Sequence, residues 1–221
     1  MNRFEEIQLN LGKVRDRIAT SANSVGRGCD EITLIAVTKN FPISDIEILR
    51  ELGVTNFGEN RDQEASSKAG AVEGIWHFQG QIQSNKLKSI CLWANVIHSL
   101  DDLRHFTLIE KSASLPLQIF LQVNLDGALG RGGEAIEALL PLAQAIKEST
   151  LHSLVGLMAV APLGVDATVA FSRLSIIHKE FLQQFPEATS LSAGMSGDFE
   201  AAISSGATHV RIGSSILGSR E

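Results

Sequence analysis

A chain of 221 residues is long enough for one α/β barrel or two small domains and can bury a substantial core. Its 44% hydrophobic and 20% charged residues read as a soluble globular protein, and a formal net charge of −6 argues against nucleic acid or an anionic membrane as the main partner. Cys29 and Cys91 exclude a disulfide framework and lack metal-ligand spacing, and neither a signal-peptide core nor a membrane-spanning stretch is present, so the expected location is a reducing cytoplasm.

The first element is a helix. Phe4, Ile7, Leu11, Val14 and Ile18 recur at alternating steps of three and four, which makes one apolar stripe. The stripe is read as packing on the body of the domain, with a partner surface as the second option. Strand-like runs follow at 33–39, 55–58, 75–80, 95–100, 117–124, 153–160, 189–193 and 208–213. Helix-like segments separate them at 44–52, 60–70, 84–93, 101–113, 133–149, 166–184 and 197–205. Ser44-Asp45-Ile46-Glu47 reads as a capping box and Gly53 as a stop, while Ser196 and Gly206 read as the cap and stop of the last helix. Regular alternation implies βαβ units and a parallel sheet. Eight units fit a single closed (β/α)8 barrel over 1–221, with residues 1–25 as an added helix; an open doubly wound sheet is the alternative.

The first strand ends on Lys39, just before Asn40-Phe41-Pro42. Burial there disfavours the charged form of a lysine, and a neutral amine can form a Schiff base. A strand-end lysine that snorkels into water is the commoner arrangement, and this segment alone does not separate the two. The barrel adds weight, because Lys39 falls on the face where barrel enzymes place their chemistry. Barrels of this kind tend to bind phosphate with the loops after strands seven and eight. Here those loops read Ser192-Ala193-Gly194-Met195-Ser196-Gly197-Asp198 and Arg211-Ile212-Gly213-Ser214-Ser215, with glycines for close approach and hydroxyls that donate. Asp198 and Glu200, in the first turn of the next helix, oppose a bound anion. A phosphate within reach of an imine-forming lysine suggests pyridoxal phosphate.

The segments AVTK (36–39), FGENRDQEA (57–65), WHFQGQIQSNK (76–86), GLMAVAP (156–162), LSAGMSGDFEAAI (191–203) and VRIGSSILG (210–218) occur in order along the chain. Together they resemble the pyridoxal phosphate homeostasis protein family, also called YggS-like, whose members look like the barrel domain of fold-type III enzymes such as alanine racemase. The resemblance implies a cofactor, pyridoxal 5′-phosphate, held as an internal aldimine on Lys39. It implies a phosphate cup from Ser196, Gly197, Gly213 and Ser214, with Arg211 facing the pyridine nitrogen and Asn60 and His77 lining the pocket. From the residues alone His77 reads equally as a hydrogen-bonded core histidine and Asn60 as a helix cap, and Trp76, Phe78 and Met158 read as core.

The sequence departs from the family at three places. Arg61 follows the FGEN segment where a tyrosine is common, Gly130-Arg131-Gly132-Gly133 replaces a turn that carries a lysine in many members, and Gly197 stands where an acid is frequent. Arginine keeps the charge but forms no imine. An Arg211 that only donates leaves the pyridine nitrogen unprotonated and the ring a poor electron sink. Fold-type III racemases use a tyrosine opposite the lysine, and this chain has 0 tyrosines, which excludes a two-base racemase of the usual kind barring a substitute base such as His77 or Cys91. The favoured expectation is a non-catalytic binder that serves intracellular vitamin B6 homeostasis and exchanges cofactor with pyridoxal phosphate-dependent apo-enzymes, as a monomer or weak homodimer. The alternatives are a weak amino-acid racemase or lyase using Lys39 as base, and a phosphate-binding regulatory barrel in which the lysine is incidental.

Overall fold

The computed structural model describes residues 1–128 and 130–218, so the boundary expected at 221 lies outside the described residues. Helix α1 (Arg3–Ser24) precedes the strands β1 (Thr33–Val37), β2 (Asn56–Glu59), β3 (Ile75–Phe78), β4 (Val96–Leu100), β5 (Gln118–Gln122), β6 (Ser153–Met158), β7 (Ser190–Ser192) and β8 (His209–Ile212). All neighbours pair in parallel, and β8 closes onto β1 through Thr33↔His209 to Ala36↔Ile212. The closed barrel replaces the open-sheet alternative. Between the strands run α2 (Ile43–Glu51), α3 (Asp62–Ala71), α4 (Leu87–Trp93), α5 (Leu103–Ser112), α6 (Ile136–Glu148), α7 (Ala167–Leu182) and α8 (Phe199–Ser204), and the short α9 (Ser214–Leu217) follows β8.

Apart from β2 and β4, the observed strands stop one or two residues short of the apolar runs at their C-terminal ends. Thr38, Gln79, Val123 and Ala159 still donate to the Gly58, Glu59, Met158 and Ser192 carbonyls, and beyond them the chain turns into the loops of that face. Two terminators behave as the sequence suggests: Gly53 and Gly206 take φ values of +81° and +102°, conformations that cost a side-chain-bearing residue strain. Two caps do not. Pro42 occupies the N-cap of α2, so Ser44 falls inside the first turn, and the Asp45 carboxylate is taken by Arg3 at 2.6 Å. Asp198 precedes α8, and Ser196 turns instead toward the Ser215 amide, 3.3 Å away.

Strand alternation divides the core in two. Outward residues such as Ala36, Phe57, Trp76, Val210 and Ile212 pack under the helices, while Val96, Phe120 and Met158 form a small apolar cluster separate from them. The stripe of α1 packs on the body of the barrel: Ile7, Leu11, Val14 and Ile18 are 0–5% exposed, against α8, α9 and α2. Asn2 and Glu5 close a capping box at its start. Four such aliphatic side chains contribute roughly 1.5–3 kcal/mol each, so α1 belongs to the folding unit. Leu11→Ala should therefore lower stability by about 3 kcal/mol, read as a lower urea midpoint with an unchanged slope; a loss under about 1 kcal/mol would mean that α1 docks loosely.

Candidate functional site

The parallel register determines what meets at the C-terminal face. Ile35 lies opposite Arg211 and Ala36 opposite Ile212, which brings Val37 level with Gly213. Inward residues recur every second position, so Lys39 follows Val37 on the same side, one step above Gly213. The closeness is real, since a Cβ on Gly213 would lie 3.1 Å from the Val37 carbonyl oxygen. A cavity of about 470 Å³ opens here, lined by Val37, Lys39, Asn60, Gln79, Gln122, Met158, Val160, Met195, Ser196, Gly197, Arg211, Gly213 and Ser214. That size is within the range of small-molecule sites.

Seven of the eight residues expected at the site therefore line one cavity, and His77 does not. Lys39 lies two residues beyond the end of β1 and is exposed, so the water-facing geometry holds for the free protein. Arg211 lies at the other extreme, 5% exposed, its guanidinium donating to Ser192 Oγ at 2.6 Å and to the Ala159 carbonyl at 3.0 Å. Burial lowers its pKa to about 10, which leaves it charged at neutral pH. The loops after β7 and β8 are tied together, because Ser196 Oγ accepts from the Ser215 amide and Ser215 Oγ donates to the Ser196 carbonyl at 3.4 Å. Gly194, at φ +89°, makes the turn between β7 and that loop; a Cβ there would lie 2.7 Å from Phe199 Cα. Asp198 and Glu200 are occupied elsewhere, the first by the Met195 amide at 2.6 Å and the second by Arg17 at 2.5 Å. Their opposition to an anion is reduced accordingly.

His77 is 2% exposed and sits one inward step below Gln79. It belongs to a buried chain whose hydrogen positions follow from its two ends. Arg211 can only donate and Asn56 Oδ1 can only accept, so with neutral rings Ser192 Oγ accepts from Arg211 and gives its own proton to His98 Nδ1, 2.9 Å away. His98 Nε2 then donates to His77 Nδ1 at 2.8 Å, and His77 Nε2 donates to Asn56 Oδ1 at 3.0 Å. Both rings are neutral in this order. Burial, followed by the nearby His209, lowers His77 to about 3. Burial, followed by His77, holds His98 well below its ordinary value. His98 also stacks on Phe120, with centroids 4.5 Å apart. His77 thus lies outside the cavity lining and is linked to Arg211 through two intermediates, His98 and Ser192.

Other expectations are revised by contacts. Asn60 does not cap α3, whose N-cap is Arg61. Met158 lines the cavity as well as the inner core. Arg131 turns to Asp126 at 3.1 Å and to the Val160 and Ala161 carbonyls at 3.2 and 2.8 Å, fastening its loop to the end of β6. Cys91 is buried on α4, and burial raises its thiol to about 11. Neither Cys91 nor His77 can act as a base in the cavity, where Lys39 and Arg211 are the only titratable residues among the described lining. Sequence reasoning passed over Gln79 and Gln122, although both are two residues from inward positions and strand alternation could have found them.

The residues present fit a phosphorylated aldehyde. Lys39 supplies an amine, and among the described residues nothing stands within 4 Å of where a side chain on Gly197 would begin and the buried Gln79 Nε2 has no hydrogen-bond partner. A parallel eight-stranded barrel with a lysine past β1, a guanidinium on β8 and paired glycine–serine loops defines a barrel of the alanine racemase type. In agreement, the sequence matches the family described as "Alanine racemase, N-terminal domain" over residues 9–221. It is 37% identical over 241 residues to the pyridoxal phosphate homeostasis protein of Mycobacterium leprae (strain TN), covering 98% of this chain and 94% of the relative. The counterpart in Escherichia coli (strain K12) is 36% identical over 230 residues, covering 99% and 98%. Among solved structures, PipY of Synechococcus elongatus PCC7942 with PLP bound superposes with a TM-score of 0.80 at 30% identity, covering 93% of this chain and 100% of that one. The chain belongs to the pyridoxal phosphate homeostasis protein family.

Proposed function

We propose that this chain binds pyridoxal 5′-phosphate as a Schiff base on Lys39 and serves intracellular vitamin B6 homeostasis as a holder and donor of the cofactor, without robust catalysis. The whole of 1–221 acts as one cofactor-binding domain. The observation that carries the reading is the cavity lining, which joins one amine, one buried guanidinium and the two phosphate-competent loops, with no second acid or base among the described residues. PipY, a relative at 30% identity, has been solved with PLP bound. The cofactor supplies an aldehyde for attachment and a ring that can take up electrons.

The chain's own residues hold rather than react. Ser196, Gly197, Gly213 and Ser214 receive the phosphate, with the first turn of α9 adding amides. Arg211 donates toward the ring nitrogen and, being charged and pinned by Ser192 and Ala159, withholds a proton from it. Asn60 lines the side of the pocket. A lone lysine without an opposing base gives poor control of a Cα proton. Lys39 is exposed, so amines and recipient apo-enzymes can approach it. Free Cys29 and Cys91 suit a reducing cytoplasm, no helix among the described residues is long and apolar enough to cross a membrane, and the internal use of the α1 stripe favours a monomer or weak homodimer.

Proton–deuterium exchange at Cα tests the catalytic question. Cofactor-loaded protein incubated with a panel of amino acids in deuterated buffer should show no Lys39-dependent exchange while its Schiff-base absorption stays intact. Exchange that disappears in Lys39→Ala would instead establish racemase- or lyase-type proton abstraction.

A further inference from the structure

Among the described residues Lys39 has no partner of its own, yet the backbone on both sides of it is gripped by charged side chains. On one side, the Thr38 carbonyl accepts from Lys68 Nζ at 2.7 Å and Thr38 Oγ donates to Glu59 Oε1 at 2.7 Å. On the other, the Asn40 amide donates to Glu64 Oε1 at 2.6 Å. Lys68 joins the two sides, with Glu59 at 2.7 Å and Glu64 at 2.5 Å, so all three of its protons are used. Lys68 and Glu59 are 4% and 0% exposed, and Glu64 retains 25% of its side-chain surface. The gripped segment is also bent: Asn40 has φ +64°, the only positive value at a non-glycine residue among the described residues.

A buried ion triad is an inefficient source of stability, because desolvating the charges offsets much of their attraction. Here Glu59 Oε2 is buried without a partner among the described residues, and burial, the largest influence on Glu59, raises its pKa. What the triad does supply is direction. Its three polar ends meet the residues before and after Lys39, and none of them meets Lys39 itself.

We propose that Glu59, Lys68 and Glu64 are positioning residues for Lys39: they hold residues 38–40 in the one bent conformation that presents Nζ to the cavity. The inference rests on Lys39 being the attachment point. Attachment is a condensation in which Nζ adds to the aldehyde carbon, a C=N bond forms and the aldehyde oxygen departs as water. A segment already fixed in direction reaches that geometry without first being ordered.

Glu64→Ala is the test variant because Glu64 lies at the edge of the triad, where loss is tolerated better than at Lys68. Glu64→Gln, which keeps an acceptor for Asn40 and Lys68, is the rescue. In the cofactor-free protein, hydrogen exchange of the Asn40 amide should speed up about tenfold in Glu64→Ala and return toward wild type in Glu64→Gln, the loss of one charge-assisted bond. Stopped-flow formation of the Schiff-base band should slow about tenfold with pyridoxal 5′-phosphate and equally with pyridoxal, while inorganic phosphate competes with unchanged affinity. Wild-type rates in Glu64→Ala overturn the positioning role and leave the cofactor reading standing. A wild-type protein that forms no Schiff base overturns both.

Discussion

Lys39→Ala should abolish covalent attachment of pyridoxal 5′-phosphate while leaving the fold as it is. Wild-type protein mixed with the cofactor should gain the visible absorption of a protonated Schiff base, and borohydride reduction should fix the cofactor's mass to the peptide carrying Lys39. Neither signal should appear in the variant. Stability should change by no more than about 0.5 kcal/mol, because Lys39 is exposed and has no hydrogen-bond or ion-pair partner among the described residues. Residual binding should survive, at least about tenfold weaker, since the loops after β7 and β8 and Arg211 are untouched, and inorganic phosphate should displace it. Lys39→Arg separates the two parts played by the residue: it keeps a cation for the phosphate but forms no imine, so it should bind without the visible band. Other lysines are poorly placed to substitute. Lys68 spends all three protons on Glu59, Glu64 and the Thr38 carbonyl, and Lys86 lines a separate cavity with Arg61 and Gln83. An unchanged band in Lys39→Ala would remove the assignment.

Much of this site was legible because a parallel barrel converts sequence order into position. Once Lys39 is taken to end the first strand and Arg211 to lie on the last, closure makes the two neighbours, and the glycine–serine loops must gather beside them. The same logic did not extend to His77, because strand alternation gives the face a residue points to but not its depth. His77 points inward, yet it lies one step too low and is spent on His98 and Asn56. Capping failed for a related reason: Ser44 and Ser196 satisfy a local pattern, but Pro42 starts α2 earlier and Ser215 draws Ser196 to the other loop. The triad beneath residues 38–40 was only half visible to spacing: Glu64 and Lys68 stand at i and i+4 on α3, but Glu59 ends a strand. Only their shared position behind β1 makes Glu59 and Lys68 partners.

The buried histidines carry the other large prediction, a loss of stability in mild acid. His77 and His209 are lowered to about 3 and about 4, and His98 lies well below its ordinary value, burial being the first cause in each. The native state therefore keeps three rings neutral in a range where the unfolded chain protonates them. A histidine whose folded pKa is depressed gives stability that is complete above the unfolded value near 6.5 and is lost as pH falls toward the folded value. Between pH 7 and pH 5 the loss is about 2 kcal/mol each for His77 and His209, or roughly 4 kcal/mol for the two, with His98 adding in the same direction, against a typical total of about 5–15 kcal/mol. Glu59 opposes this, because burial raises its pKa and a proton taken up in the folded state favours folding as pH falls. Its single group does not cancel three. Urea unfolding at the two pH values should show the drop, and in His209→Gln the difference between them should shrink by about 2 kcal/mol whatever the variant's own baseline. A difference under about 1 kcal/mol in the wild type would mean that the rings are protonated in the fold, and the donor order from Arg211 to Asn56 would then have to be abandoned.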